Sequence, residues 1–443
     1  MGKIGFVNLC HEDYIDNNVT GMAAKAIQAL REQNIDVYEA SVLASNFRQG
    51  REAGLELASK NLDGVILFLG AWMECTTAMA VVREIEHLPM LLWGFPMFLA
   101  DDGKKLESTG SYVSYAMFKG SMVRAGYRFI DLLGLPDNGV TLAKAVSFCR
   151  AASAKTALKR IRIGLVGYSS MNIYPGTFDH LLLRTRIGPE VVHFDSYSVI
   201  KKAEALSPAQ RREAAETLSR AGKVCPDVRE ESLLKAGGIY GALEGLCSDQ
   251  ELDAINIKCQ YEFSKEYKMV PCVPLSALAD TGVVSSCEGD MLCTVSMQIL
   301  ALLTGQTVTY GDTIHNTCDT IKLSSCGMLP FSMGDGERKI CNFMPHDGFH
   351  GIQASFVMRP ERVTVMRLVE DVGSYHMLYF TGEGQKTDLR QGYMPALDVK
   401  IGGSMELLIR HFSGQHFAIC YGDCTQELEQ LCTLLGIEAV GIL

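Results

Sequence analysis

Along the first hundred residues, short apolar runs alternate with longer stretches in which apolar positions recur every three or four residues. "KIGFVNL" (3–9), "DVYEA" (36–40), "DGVILFLG" (63–70) and "MLLWGF" (90–95) read as strands, and 20–32, 50–59 and 76–87 between them carry the helical period. Strands that alternate with helices imply a parallel sheet, because each parallel connection must cross over and a helix is the usual way to do so. The stretch 113–160 reads as helical apart from "LGLPDNG" (133–139), and "RIRIGLVGYSS" (160–170) starts the alternation again. The second series has strands at "VVHFD" (191–195), "DAINIKCQ" (253–260) and "GVVSS" (282–286). Its best punctuated helix has Ser207 as cap, Pro208 in the first turn and Gly222 as stop, and the charged run "AQRREAAETLSR" reads as a solvated face.

After about residue 304 the pattern changes. "GIQASFVMRP", "RVTVMRL", "YHMLYFTG", "SMELLIRHF" and "HFAICYG" are β-like runs separated by Gly and charged turns. At 443 residues the chain exceeds one ordinary core. The expected fold class is α/β: two Rossmann-like parallel-sheet domains, 1–158 and 159–303, followed by a β-rich, barrel-like C-terminal domain, 304–443.

Composition narrows the partners. Charged residues at 21% against 47% hydrophobic leave no room for a large disordered region. The longest apolar run, "MLLWGFPMFLA" (90–100), is too short to span a bilayer and reads as a buried strand with its exit loop, so no membrane partner is expected. A net charge of −10 without any long basic run argues against nucleic acid. The start "MGKIGFVNLC" lacks a signal-peptide pattern, so a cytoplasmic protein is expected, with its 15 cysteines as free thiols and no C-x-x-C pair to hold zinc. What remains as a partner is a small molecule.

The usual motif templates fail. "GLVGYSSMNIYPG" (164–176) has a glycine-bearing turn after a strand but neither G-x-G-x-x-G nor a Walker lysine, and the chain has no G-x-S-x-G elbow or H-E-x-x-H helix. Trp72 ends one strand and Gln260 another, at the carboxyl ends where open α/β sheets bind ligands; the plain alternatives are a packed ring and a surface amide. Glu288 and Asp290 of "CEGD" lie between two apolar elements, where an unpaired carboxylate is costly, and Asp290 can cap the following helix. Asp312 in "VTYGD" and His416 in "GQHFAICYGD", each taken alone, read as a turn residue and a structural histidine.

Together they resemble the L-fucose and L-arabinose isomerase superfamily. Glu288 and Asp312 are 24 positions apart, the interval between the two metal-binding acids of the fucose branch, and His416 matches that branch's third ligand. The resemblance extends over the whole chain in architecture, with its motifs concentrated in 258–312 and 411–443. It implies an aldose–ketose isomerase acting on a monosaccharide (a pentose, a 6-deoxyhexose or a 6-substituted, for example sulfonated, hexose) through a cis-enediol. Glu288, Asp312 and His416 would hold Mn²⁺, with Mg²⁺ or Co²⁺ as alternatives. Glu288 and Asp312 would also move the proton, Gln260 and Trp72 would contact substrate, and the chain would form a homo-oligomer, a trimer or hexamer. The chain is shorter than a typical fucose isomerase, and neither His315, too close to Asp312, nor His346 or His350, in a Gly-rich loop, supplies the arabinose branch's fourth ligand.

The chemistry explains such a set. The C–H beside a sugar carbonyl is weakly acidic, so isomerisation needs positive charge on the two oxygens and a carboxylate to take and return the proton. Two carboxylates and one imidazole suit a hard divalent cation and leave coordination positions for sugar oxygens. Asp290 is expected to support the site or cap the helix, and Cys287 to pack. A non-catalytic sugar sensor with two Rossmann-like lobes is the alternative reading, and a nicotinamide-dependent oxidoreductase lacks its fingerprint.

Overall fold

The computed structural model describes residues 2–99, 103–343 and 349–442. The chain packs as two compact units, 1–157 with 426–437 and 158–425 with 438–443. The architecture is mixed α/β, with parallel sheets and a separate β-rich sheet.

In the first unit, β1 (Lys3–Leu9), β2 (Asp36–Glu39), β3 (Gly64–Leu69), β4 (Met90–Gly94) and β5 (Ile130–Leu133) form a parallel sheet in the order β2-β1-β3-β4-β5. β3 and β4 are buried at every position, which is why "VILFL" and "MLLWG" show no alternation. The helices Asn17–Glu32, Phe47–Ala58 and Cys75–Ile85 follow the expected periodicity, the first two capped by the side chains of Asp16 and Asn46. The stretch 113–160 is not helical throughout. It comprises Ser111–Arg124, the strand β5 and Gly139–Leu158; "IDLL" pairs with β4 and so becomes a strand although its own burial is modest. The helix Thr425–Leu435 also belongs here, where Glu427 accepts from Ser147 Oγ at 3.0 Å and meets Arg150 at 3.2 Å.

In the second unit, β6 (Arg162–Val166), β7 (Glu190–Phe194), β8 (Ala254–Ile257) and β9 (Val284–Cys287) make another parallel sheet, ordered β9-β8-β6-β7. The helix Pro208–Ala221 carries a full capping box between Ser207 and Gln210. The β-rich sheet consists of β10 (Thr309–Asn316), β11 (Thr320–Ser324), β12 (Arg362–Asp371), β13 (Ser374–Gln385), β14 (Ala396–Ile401), β15 (His416–Tyr421) and β16 (Glu438–Ile442). Its pairings run β12-β15-β10-β11-β14-β13 and return from β13 to β12, with β16 added in parallel to β13. Closing the ring removes the edges that would otherwise invite aggregation.

Two further expectations are corrected. "SMELLIRHF" is not a strand: Ser404 accepts from Leu407 N–H at 3.3 Å and caps a short helix, Met405–Arg410. Nor are all thiols free, because Cys225 and Cys341 form a disulfide. The parallel pair Val224↔Ile340 brings together two residues 116 positions apart, a proximity that spacing along the chain does not reveal. Among the described residues no helix is long and apolar enough to cross a membrane.

Candidate metal and active site

Glu288 leaves β9 with φ at +69°, in the left-handed region that a non-glycine residue adopts only when its surroundings hold it there. Those surroundings are specific. Asn256, fully buried in the middle of β8, donates through Nδ2 to Ser286 Oγ and Thr294 Oγ1, both at 2.9 Å, and accepts the Gly289 N–H at 2.7 Å. Glu288 N–H donates to Ile257 O at 2.9 Å. Gly289 also has φ at +67°, and a Cβ there would lie 2.4 Å from Tyr168 O, so the turn requires glycine. "CEGD" is thus a tight turn that places a nearly buried carboxylate at the carboxyl end of a parallel strand, with Asp290 capping the helix Met291–Thr304 through Cys293 N–H at 3.0 Å.

The barrel-like sheet supplies the other two groups by register. Asp312 on β10 lies directly opposite His416 on β15, and residues opposed in an antiparallel pair project to the same face. His416 Nε2 is 3.1 Å from Asp312 Oδ1 and 3.3 Å from Glu288 Oε2. The register between β10 and β11 shifts just beyond Asp312, between Thr313 and His315, an irregularity of the kind that re-aims side chains beside functional sites. The fold therefore brings Glu288, Asp312 and His416 into one cluster.

Asp290 does more than cap. Its Oδ2 accepts from His416 Nδ1 at 2.8 Å and from Arg367 at 2.9 Å, and Asp290, His416 and Arg367 are all essentially inaccessible to water. Burial alone would raise the Asp290 pKa; Arg367 and His416 outweigh it and hold the carboxyl well below its usual range. Burial likewise works against charge on His416, but the carboxylates of Asp290, Asp312 and Glu288 close around it raise its pKa well above the ordinary value. Arg367 also donates to His416 O at 2.8 Å and Pro175 O at 2.7 Å, and Gly414 leaves it room, since a Cβ there would lie 2.6 Å from the guanidinium carbon.

The residues fit a divalent cation. With Nδ1 tied to Asp290, the neutral tautomer presents Nε2 as a lone pair, and Nε2 is a buried atom without a hydrogen bond despite two nearby carboxylates. A carboxylate fixing the outer nitrogen of a histidine whose inner nitrogen faces two more acids could hold a metal ion, and two oxygen ligands with one nitrogen would favour a hard one.

Gln260 follows β8, beside β9 in register, and is buried with Oε1 unsatisfied, unlike a surface amide. Trp72 belongs to the first unit, where it follows β3 and packs against His11 and Tyr14 at ring separations of 5.5 and 5.8 Å. Trp93 is core, donating to Gly134 O at 2.9 Å. Cys287 is buried with Sγ 2.8 Å from Tyr310 Oη; His346 lies outside the described residues. Sequence reasoning passed over Asn256, Arg367 and Cys326. The first two interrupt buried apolar strands, a signal present in "AINI" and "VTVMRLV". Cys326, whose Sγ is 3.7 Å from Glu288 Oε1 and close to the Asp312 carboxylate, carries no such mark.

No protein-family profile matches the chain. Among curated proteins it is similar to the sulfoquinovose isomerase of Priestia aryabhattai, 24% identical over 320 residues that cover 70% of this chain and 71% of that one. It is also similar to the sulfoquinovose isomerase of Clostridium sp. (strain MSTE9), 25% identical over 376 residues, 81% of this chain and 83% of that one. Among solved structures, an ABC transporter periplasmic solute binding protein from Actinobacillus succinogenes with bound D-allose is 11% identical over 69% of this chain and 92% of that one. Its TM-score of 0.19 is too low to bear on fold or function.

Proposed function

We propose that this chain is a metal-dependent aldose–ketose isomerase of the fucose and arabinose isomerase type, acting on a sulfonated hexose through a cis-enediol. The observation that carries the reading is the buried imidazole of His416, fixed at Nδ1 by Asp290, with its unsatisfied Nε2 beside Glu288 and Asp312. Similarity over most of the chain to proteins named sulfoquinovose isomerase supports the reaction class and the sulfonated substrate.

Glu288, Asp312 and His416 would hold the ion, Mn²⁺ by preference over Mg²⁺ or Co²⁺. When bound, the ion supplies positive charge that acidifies the C–H beside the carbonyl and stabilises the enediol oxygens. Glu288 and Asp312 come from separate strands, so one carboxylate takes the proton from C2 and the same or the other returns it at C1. Asp290 holds the His416 ring in one orientation and tautomer. The buried amide of Gln260 orients a sugar hydroxyl, and the near-complete burial of Glu288 keeps bulk water from competing for the proton.

The test is isomerisation of a panel of aldoses, including 6-sulfonated hexoses, by metal-free and Mn²⁺-reconstituted protein in deuterated water. Ketose formation that needs the ion, with solvent deuterium entering the product, supports the reading. Full turnover after exhaustive chelation, or no ketose from any aldose of the panel, removes it. A sensor would bind a sugar without converting it and would leave the buried acid–imidazole cluster without a task.

A further inference from the structure

We propose that Arg390 selects for an anionic group at the end of the sugar remote from its carbonyl, the sulfonate of the reading above, on which this inference rests. The placement follows from strand register. Asp312 is opposed on one side by His416 and on the other by Ser324, so the three side chains form a row on one face of the sheet, with successive strands roughly 4.8 Å apart. Arg390 joins the end of that row by donating from Nε to Ser324 Oγ at 2.8 Å. The same hydroxyl donates to Pro395 O at 2.5 Å, so its lone pair is turned to the guanidinium. The row runs from the imidazole and carboxylates that would receive the carbonyl end to a cation about two strand spacings away. That is a length suited to an extended six-carbon sugar.

The guanidinium is available. It has five N–H donors, and the bond to Ser324 occupies Nε alone, leaving the fork that matches a carboxylate, phosphate or sulfonate. Among the described residues no carboxylate forms an ion pair with Arg390, although the side chain is partly buried. The fully buried cations of this unit are committed: Arg367 to Asp290 and Lys258 to Glu262, the latter at 2.6 Å. The supporting segment is tied in place: Arg390 N–H donates to Met394 O at 2.9 Å, and Tyr393 O accepts from Gln353 Nε2 at 2.6 Å and Ser355 Oγ at 3.0 Å. A cation held by the scaffold and, among the described residues, paired with no carboxylate is pre-organised for an external anion.

A sulfonate is a permanent anion whose oxygens accept two parallel N–H bonds from one guanidinium, whereas the hydroxyl of an ordinary hexose gains one neutral bond. The experiment compares kcat/KM for a 6-sulfonated aldohexose and for the same hexose with a 6-hydroxyl, in wild type, Arg390→Met, Arg390→Lys and Ser324→Ala. The sulfonated-to-hydroxyl ratio should fall roughly ten- to a hundredfold in Arg390→Met. It should fall less in Arg390→Lys, which keeps the charge but loses the fork, and less in Ser324→Ala, which loosens it. An unchanged ratio in Arg390→Met, whatever the absolute rates, overturns the inference.

Calorimetric binding of a non-reactive 6-sulfonated hexitol to Mn²⁺-loaded wild type and Arg390→Met gives a readout without turnover. Weaker binding to the variant supports the inference, and equal affinity overturns it. If wild type binds the hexitol through Arg390 but isomerises no aldose, the isomerase reading fails while the anion site stands. Failure of wild type to bind it overturns the anion site.

Discussion

Replacing Asp290 by Asn changes one atom, and the structure makes its consequence large. Asn can still accept the Cys293 N–H, so the helix cap costs only tenths of a kcal/mol. What is lost lies on the other oxygen. Oδ2 receives Arg367 at 2.9 Å and His416 Nδ1 at 2.8 Å, and Arg367 is fully buried. The variant leaves a guanidinium in the interior with no counter-charge and points an amide either at its N–H groups or at the imidazole. Breaking a buried ion pair from one side costs about 3–5 kcal/mol, a large share of the roughly 5–15 kcal/mol that holds a typical domain together. The assay is urea denaturation of the metal-free protein followed by far-UV circular dichroism, because both tryptophans, Trp72 and Trp93, belong to the first unit and their emission does not report on the second. Adding Arg367→Met removes the stranded charge as well, so Asp290→Asn/Arg367→Met should be more stable than Asp290→Asn alone. An Asp290→Asn protein within about 1 kcal/mol of wild type, or a double variant no better than the single, would refute this account of the ion pair. The loosened imidazole should also weaken Mn²⁺ binding by about 10–100-fold, measured by titration calorimetry under conditions where the variant is folded.

Glu288→Gln, Asp312→Asn and His416→Ala should each lose bound metal and about 10²–10⁴-fold in turnover; metal analysis with rate assays should show combined variants no worse than the worst single one, because the three act as a unit. His416 has a raised folded pKa, so its contribution to stability of the metal-free protein is full below the unfolded value of roughly 6.5 and is lost as pH climbs through the folded value. Mn²⁺ must displace that proton, so affinity should rise with pH and calorimetry in buffers of different ionisation enthalpy should detect proton release; binding independent of pH would remove His416 from the ligand set. Gln260→Ala should raise KM while metal content stays the same. Sedimentation velocity should show a homo-oligomer, trimer or hexamer, and a fully active monomer would dismiss it.

Much of the chain was legible because local chemistry and burial agree. The strands of the first sheet are continuous apolar runs, and the helices Asn17–Glu32 and Pro208–Ala221 have polar caps where the periodicity starts. "IDLL" and "SMELLIRHF" were misread for one reason: short segments take their state from partners. The first is a strand by pairing with β4, and the second is a helix because Ser404 caps it. The candidate acids and the imidazole were legible only as a constellation, through their spacing and their resemblance to a family.

Sequence alone determined the residue types available, the alternation that builds parallel sheets, the apolar runs that must be buried and the carboxylates of "CEGD" beside them. It could not decide which groups meet. Register did that: Asp312 opposite His416 and opposite Ser324, and Ile257 beside Cys287, converge on one cluster five separate stretches of chain. Burial then set the chemistry, committing Arg367 to Asp290, turning the free nitrogen of His416 toward Glu288 and Asp312, and leaving Arg390 without a described acid. Hydrogen bonds and ion pairs act over a few ångströms, whereas Arg367 and His416 are 77 and 126 residues from Asp290, so only the folded backbone could pair them.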